Sequence, residues 1–172
     1  FGYCTGLKNL NLPNKLSRIG ETAFQACKAL TVVTIPDSVI SIGRCTFRYC
    51  DNLKEFKGKF AVDNGRCLVV DGKLVAFALG CGVSDYTVPD IVSVIGNSAM
   101  EGSATLVNLT IPDSVVEIED YGVYKCKSLS NVNMGDNVTT IGECAFSNSK
   151  ITSIAIPESV TSIGGGAFSD CS

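Results

Sequence analysis

The sequence predicts a repeat solenoid: a right-handed coil, mainly β, with one parallel sheet, an irregular outer side of short 3-10 turns and one β-hairpin interruption. Three observations predict it. An apolar triplet recurs about every 23 residues, all five prolines fall at or directly after the end of that triplet, and Ile-Gly and Ala-Phe pairs follow at fixed distances. A period of this length is the mark of stacked units, none of which can bury its apolar face alone.

The triplet builds the strand. Its first position is Leu7, Leu30, Leu53, Val83, Leu106, Leu129 and Ile151, and its second is Leu10, Val33, Phe56, Tyr86, Leu109, Val132 and Ile154. The third, two residues on, is Leu12, Ile35, Val88, Ile111, Met134 and Ile156. Apolar residues two apart share one face of an extended segment, and Pro13, Pro36, Pro89, Pro112 and Pro157 end it because proline donates no ladder hydrogen bond. Ile19-Gly20, Ile42-Gly43, Ile95-Gly96, Ile141-Gly142 and Ile163-Gly164 come next. They are read as an apolar anchor before a glycine that turns the chain at positive φ. Ala23-Phe24, Thr46-Phe47, Ala99-Met100, Ala145-Phe146 and Ala167-Phe168 supply one large side chain per coil, expected to stack as an internal spine. The frame at Ile118-Glu119 and Gly122-Val123 is degenerate.

The frame xLxxhxIPxSVxxIGxxAFxxC, matched over most of the chain, resembles the BspA-type leucine-rich repeat. The resemblance implies a non-enzymatic module of a cell-surface or secreted protein, engaged in adhesion. Gly135 in place of Pro, Ser103 and Ser149 in place of Cys, and a long third unit depart from the pattern. The whole chain reads as a single solenoid over residues 1–172. Because it begins and stops at the same landmark of the frame, it reads as a segment of a longer array.

The irregular unit, at about 58–82, keeps its strand and then loses Pro, Ile-Gly and Ala-Phe. Asp71-Gly72 between two apolar runs predicts a type I′ hairpin pairing Val70 with Lys73, Val69 with Leu74, Leu68 with Val75 and Cys67 with Ala76. Both faces are then largely apolar. One covers the solenoid wall where the regular coil is missing. The other, with Leu68, Val70, Val75 and Phe77 as the candidate contacts, is either covered by a neighbour or a patch for a partner or self-association.

Nine cysteines invite a disulfide or zinc reading, but Cys4, Cys27, Cys50, Cys126 and Cys171 share one frame position that Ser103 and Ser149 also fill. Exchange with serine argues for buried free thiols; Cys67 with Cys81 is the one pairing worth testing. With no CxxC pair and no histidine, no metal or other cofactor is expected, and histidine-based catalysis is excluded. Seventeen acidic residues against fourteen basic ones, with no basic stripe, disfavour nucleic acid. No apolar run reaches the roughly 18 residues that would insert into a bilayer.

Residues alternating with the buried triplet line the exposed face of the sheet: Asn9 and Asn11, Val32 and Thr34, Glu55 and Lys57, Asp85 and Thr87, Asn108 and Thr110, Asn131 and Asn133, Ser153 and Ala155. Amide and hydroxyl groups dominate. This row suits hydrogen bonding to an extended protein or glycan, and equally the solubility of an exposed sheet. The two functional readings are therefore a recognition module for a macromolecular partner and a structural spacer or self-assembly domain without its own ligand.

Overall fold

The computed structural model describes residues 1–172 and winds them into stacked coils built from short strands. In chain order these are β1 (Arg18–Ile19), β2 (Val32–Ile35), β3 (Ser41–Ile42), β4 (Glu55–Gly58), β5 (Ala61–Val62), β6 (Cys67–Val70) and β7 (Lys73–Phe77). There follow β8 (Asp85–Thr87), β9 (Val94–Ile95), β10 (Asn108–Ile111), β11 (Glu117–Ile118), β12 (Asn131–Met134), β13 (Thr140–Ile141) and β14 (Ser162–Ile163). The triplet positions form one wall, as the two-stranded sheet β2-β4 and the three-stranded sheet β8-β10-β12. All their pairs are parallel and in register by one repeat, as with Leu109 beside Val132 and Val33 beside Phe56.

Two expectations are corrected here. The single parallel sheet is divided between β4 and β8, and the Ile of each Ile-Gly pair belongs to a second strand wall, β1-β3 and β5-β6-β7-β9-β11-β13-β14. The outer side is a run of hydrogen-bonded turns, with 3-10 geometry confined to Leu79–Cys81.

The glycine of Ile-Gly also has a different cause from the one expected. None of Gly20, Gly43, Gly96, Gly142 and Gly164 adopts positive φ. A Cβ on Gly43 would lie 2.3 Å from the backbone nitrogen of Glu21, and one on Gly164 2.5 Å from that of Glu143. The residue is small because the preceding coil passes against it. The left-handed positions fall elsewhere, twice per coil and mostly on residues with side chains: Thr22 and Ala26, Cys45 and Tyr49, Tyr121 and Lys125, Cys144 and Asn148. Each costs about 1 kcal/mol or more. All but Cys45 and Tyr49 of these send their N–H to a carbonyl of the next coil, as in Thr22 N–H to Arg44 O (3.0 Å) and Ala26 N–H to Arg48 O (2.7 Å).

The hairpin forms about Asp71 (φ 50°) and Gly72 (φ 76°), the paired positive angles of a type I′ turn. Val70 pairs with Lys73 and Val69 with Leu74 as expected, but a bulge between Leu68 and Val69 sets Leu68 opposite Ala76 and Cys67 opposite Phe77. The bulge returns the chain to the repeat. Lys73-Leu74 pairs in parallel with Val94-Ile95, so Leu74 takes the Ile position. Phe77 donates its N–H to Ala99 O (2.9 Å) just as Phe24 does to Thr46 O (3.0 Å), so Phe77 takes the spine position.

The hairpin also divides the interior. Leu68 and Ala76 pack with Phe24, Phe47 and Phe56 in an N-terminal core, whereas Cys67, Val69, Leu74 and Phe77 pack with Tyr86, Ile95 and Met100 in a larger C-terminal core. Leu68 and Phe77 are thus interior, and Val70 and Val75 half-buried. Leu68 and Phe77 are consequently removed from the set of residues a partner could reach. The spine follows the division: Phe1, Phe24 and Phe47 stack at 5.8 and 5.6 Å, Phe146 and Phe168 at 5.4 Å, and Phe77, Met100 and Val123 fill the positions between.

All nine cysteines are free thiols. The repeat position has a specific role: the thiols of Cys27, Cys50, Cys126 and Cys171 donate to the carbonyls of Phe1, Phe24, Met100 and Phe146, the spine residues one coil earlier. Serine fits the same space without repeating the bond: Ser149 Oγ pairs with the Cys171 thiol at 3.1 Å, and the buried Ser103 Oγ has no partner. Cys67 instead pairs with the Tyr86 hydroxyl at 2.8 Å.

Candidate recognition face

Strict alternation along β2 and β10 buries Val33, Ile35, Leu109 and Ile111 and turns the intervening residues outward. Parallel pairing in register then stacks equivalent residues into rows. Asp85, Asn108 and Asn131 form one row and Thr87, Thr110 and Asn133 the next. Within the first row Asn108 Nδ2 donates to Asp85 Oδ1, and Asn131 Nδ2 donates to Asn108 Oδ1 at 2.7 Å. Hydrogen bonds from Ser84 and Asn108 hold the exposed Asp85 carboxyl below its usual range. The row is therefore an ordered amide ladder, each side chain fixed by its neighbour.

On the other plate, Thr34 lies beside Lys57 and Val32 beside Glu55. Lys57 and Glu55 form a solvated pair at 3.4 Å, both side chains about half exposed. Asn9, Asn11 and Ser153 are exposed on extended segments outside the strands, at the two ends of the rows. The twelve candidate residues accordingly fall into two plates and two ends instead of one run.

The edge of the C-terminal plate adds residues that the sequence reading passed over. A shallow hollow of about 530 Å³ lies where Thr110 and Asn133 meet the proline turns, and Asp90, Asp113 and Asp136 line it one per coil. The signal was present as an acidic residue directly after four of the prolines and after Gly135. Asp113 Oδ1 accepts the Asp136 N–H at 2.9 Å. Such an array offers acceptors, amide donors and negative charge to a bound surface. The chain's one helical turn is three residues long, and no helix is long and apolar enough to cross a membrane.

A leucine-rich cell surface protein from Faecalibacterium prausnitzii A2-165 is 29% identical to this chain and superposes with a TM-score of 0.87, over 99% of this chain and 47% of its own. The pneumococcal vaccine antigen PcpA, 18% identical, shares the fold with a TM-score of 0.79 over 91% of this chain and 40% of its own. A leucine-rich repeat protein of T. pallidum, 25% identical, gives a TM-score of 0.59 over 91% and 70%. The chain thus spans less than half the length of the first two. None of the curated proteins matches it. Six copies of the BspA type leucine-rich repeat region cover residues 1–63 and 75–172, leaving out only the stretch around the hairpin turn. By that coverage, and by a frame that each coil spells out in its own residues, the chain belongs to the BspA-type leucine-rich repeat family.

Proposed function

We propose that this chain is a non-enzymatic recognition module of a surface or secreted protein, and that it binds an extended protein or glycan across the sheet face. The amide ladder Asp85-Asn108-Asn131 carries the reading. Side chains already held by one another lose little rotamer freedom on binding, so their remaining donors and acceptors are pre-organised for a partner. Thr87, Thr110 and Asn133 in the adjacent row, and Thr34, Glu55 and Lys57 on the other plate, extend the contact. The resemblance to a bacterial cell surface protein over nearly the whole chain supports the location.

The test is an array of extracellular-matrix proteins, plasma proteins and glycans probed with the wild-type chain and with Asn108→Arg and Asn131→Arg. Saturable binding that both variants lose supports the reading. Binding that both variants keep, or no binding with concentration-dependent self-association instead, replaces it with the spacer or assembly role.

A further inference from the structure

Every junction between regular coils carries the same three outer-wall hydrogen bonds. Between the first and second coils they run from Thr22, Phe24 and Ala26; in the C-terminal half the sets begin at Ser98, Tyr121 and Cys144. The junction after the second coil has none of them: the equivalent N–H groups of Cys45, Phe47 and Tyr49 donate to no backbone carbonyl. Strand pairing fails at the same level, since β3 pairs with β1 alone and β4 with β2 alone, while β7 is bonded into the C-terminal body through β9. The apolar core divides one layer further on, within the hairpin, where Leu68 and Ala76 pack with the N-terminal core and Cys67, Leu74 and Phe77 with the C-terminal one. On the outer wall and between β3 and β7 the two bodies meet through side chains; backbone bonds cross on the triplet side, from Phe56 N–H to Gly65 O and from Gly80 N–H to Leu53 O, both 2.7 Å.

The polar part of that contact is concentrated on one residue. Glu101, 1% exposed, accepts Arg48 Nη2–H at 2.7 Å and the Tyr49 hydroxyl at 2.6 Å on one oxygen, while its other oxygen lies 2.7 Å from Arg48 Nε as an ion contact outside hydrogen-bond geometry. Cys45 Sγ adds a bond to Asn97 Oδ1 at 3.2 Å. All span the short outer wall of the hairpin unit. Removing one partner of this pair leaves a buried charge unpaired.

We propose that the junction between the second coil and the hairpin is a hinge, and that Glu101 with Arg48 and Tyr49 is the latch holding it shut, so that the latch sets the angle between the two plates of the face. The hinge stands whether or not the face binds a ligand.

Hydrogen exchange on the full chain tests it. In Glu101→Gln, the N–H groups of Thr22, Phe24 and Gly43 exchange about 100-fold faster, while those of Met100, Val123 and Phe146 stay within about 3-fold of wild type. Lys73→Met, which removes a pair to Glu119 inside the C-terminal body, leaves the first group protected. Equal acceleration of both groups in Glu101→Gln, acceleration of neither, or release of the first group by Lys73→Met overturns the hinge. Should Glu101→Gln fail to fold, Tyr49→Phe removes one bond and keeps the ion pair. It must then give the same one-sided pattern at about 10-fold, and a two-sided or absent response overturns the proposal.

Discussion

One glycine per coil is held by contact instead of by dihedral freedom, and the same motif position tests this within one molecule. A Cβ on Gly43 would strike the Glu21 backbone, which cannot move without breaking the β1-β3 pairing, whereas nothing lies within 4 Å of a Cβ on Gly20. Gly43→Ala should cost about 2–4 kcal/mol and Gly20→Ala less than about 0.5, read as a difference in urea midpoint. The thiols give a second residue-scale test. Burial pushes Cys50, Cys67 and Cys126 up to about 12 from an ordinary value near 9. The folded state therefore keeps protons that the unfolded chain releases, so stability is intact below about pH 8.5 and falls as pH rises toward 12. Melting temperatures measured from pH 8 to 10.5 should decline, and Cys50→Ser with Cys126→Ser should flatten the decline, because serine fills the same position without titrating in that range. Tyr49, also raised to about 12 by burial and by its hydrogen bond to Glu101, adds a loss of the same sign at the alkaline end.

At the scale of the element, the hairpin stands where a regular coil would be, and its two faces serve two interiors. Leu68→Ala opens a cavity in the N-terminal core beside Phe56 and should cost about 2–5 kcal/mol; Val70→Thr, at a half-buried strand end, should cost under about 1. Circular dichroism in urea distinguishes them, and similar costs would mean that the hairpin is not packed as described. The turn was legible from Asp71-Gly72 because a type I′ turn requires two positive φ angles that this dipeptide tolerates. The bulge was not, since its cause is the need to bring Leu74 beside Ile95 and Phe77 beside Ala99, a requirement set by the next coil. The same holds for the recognition face. Its residues follow from alternation, but its division into plates depends on the Asp63–Arg66 turn, whose Gly65 carbonyl takes the Phe56 N–H that a neighbouring strand would otherwise use. Glu101 and Arg48 were unreadable as partners because they stand 53 residues apart and meet only where the outer wall between them is short.

Over the whole molecule the repeat orders charge as well as apolar side chains. Residues 83–92, 106–115, 129–138 and 151–160 hold no lysine or arginine but carry Asp85, Asp90, Asp113, Asp136 and Glu158, whereas the first and third units place Lys8, Lys15, Lys54, Lys57 and Lys59 on their strands and turns. Coils about 4.8 Å apart bring like charges close, and the resulting field would also draw in a basic partner. At about 0.01 M salt the screening length is about 30 Å, so one carboxylate feels every other in its column. At about 0.15 M it is about 8 Å, less than two coils. The exposed pairs Lys28–Asp51, Arg44–Glu21 and Lys57–Glu55 lose little by the same screening, being worth about 0–1 kcal/mol each. Repulsion along the column therefore outweighs attraction on the surface, and the melting temperature should rise by about 2 °C or more between these two salt concentrations. Asp113→Asn with Asp136→Asn, which keeps an acceptor for the Asp136 N–H, should remove most of that rise. A melting temperature that falls with salt would place the balance with the ion pairs and leave the acidic column without weight in the stability of the fold.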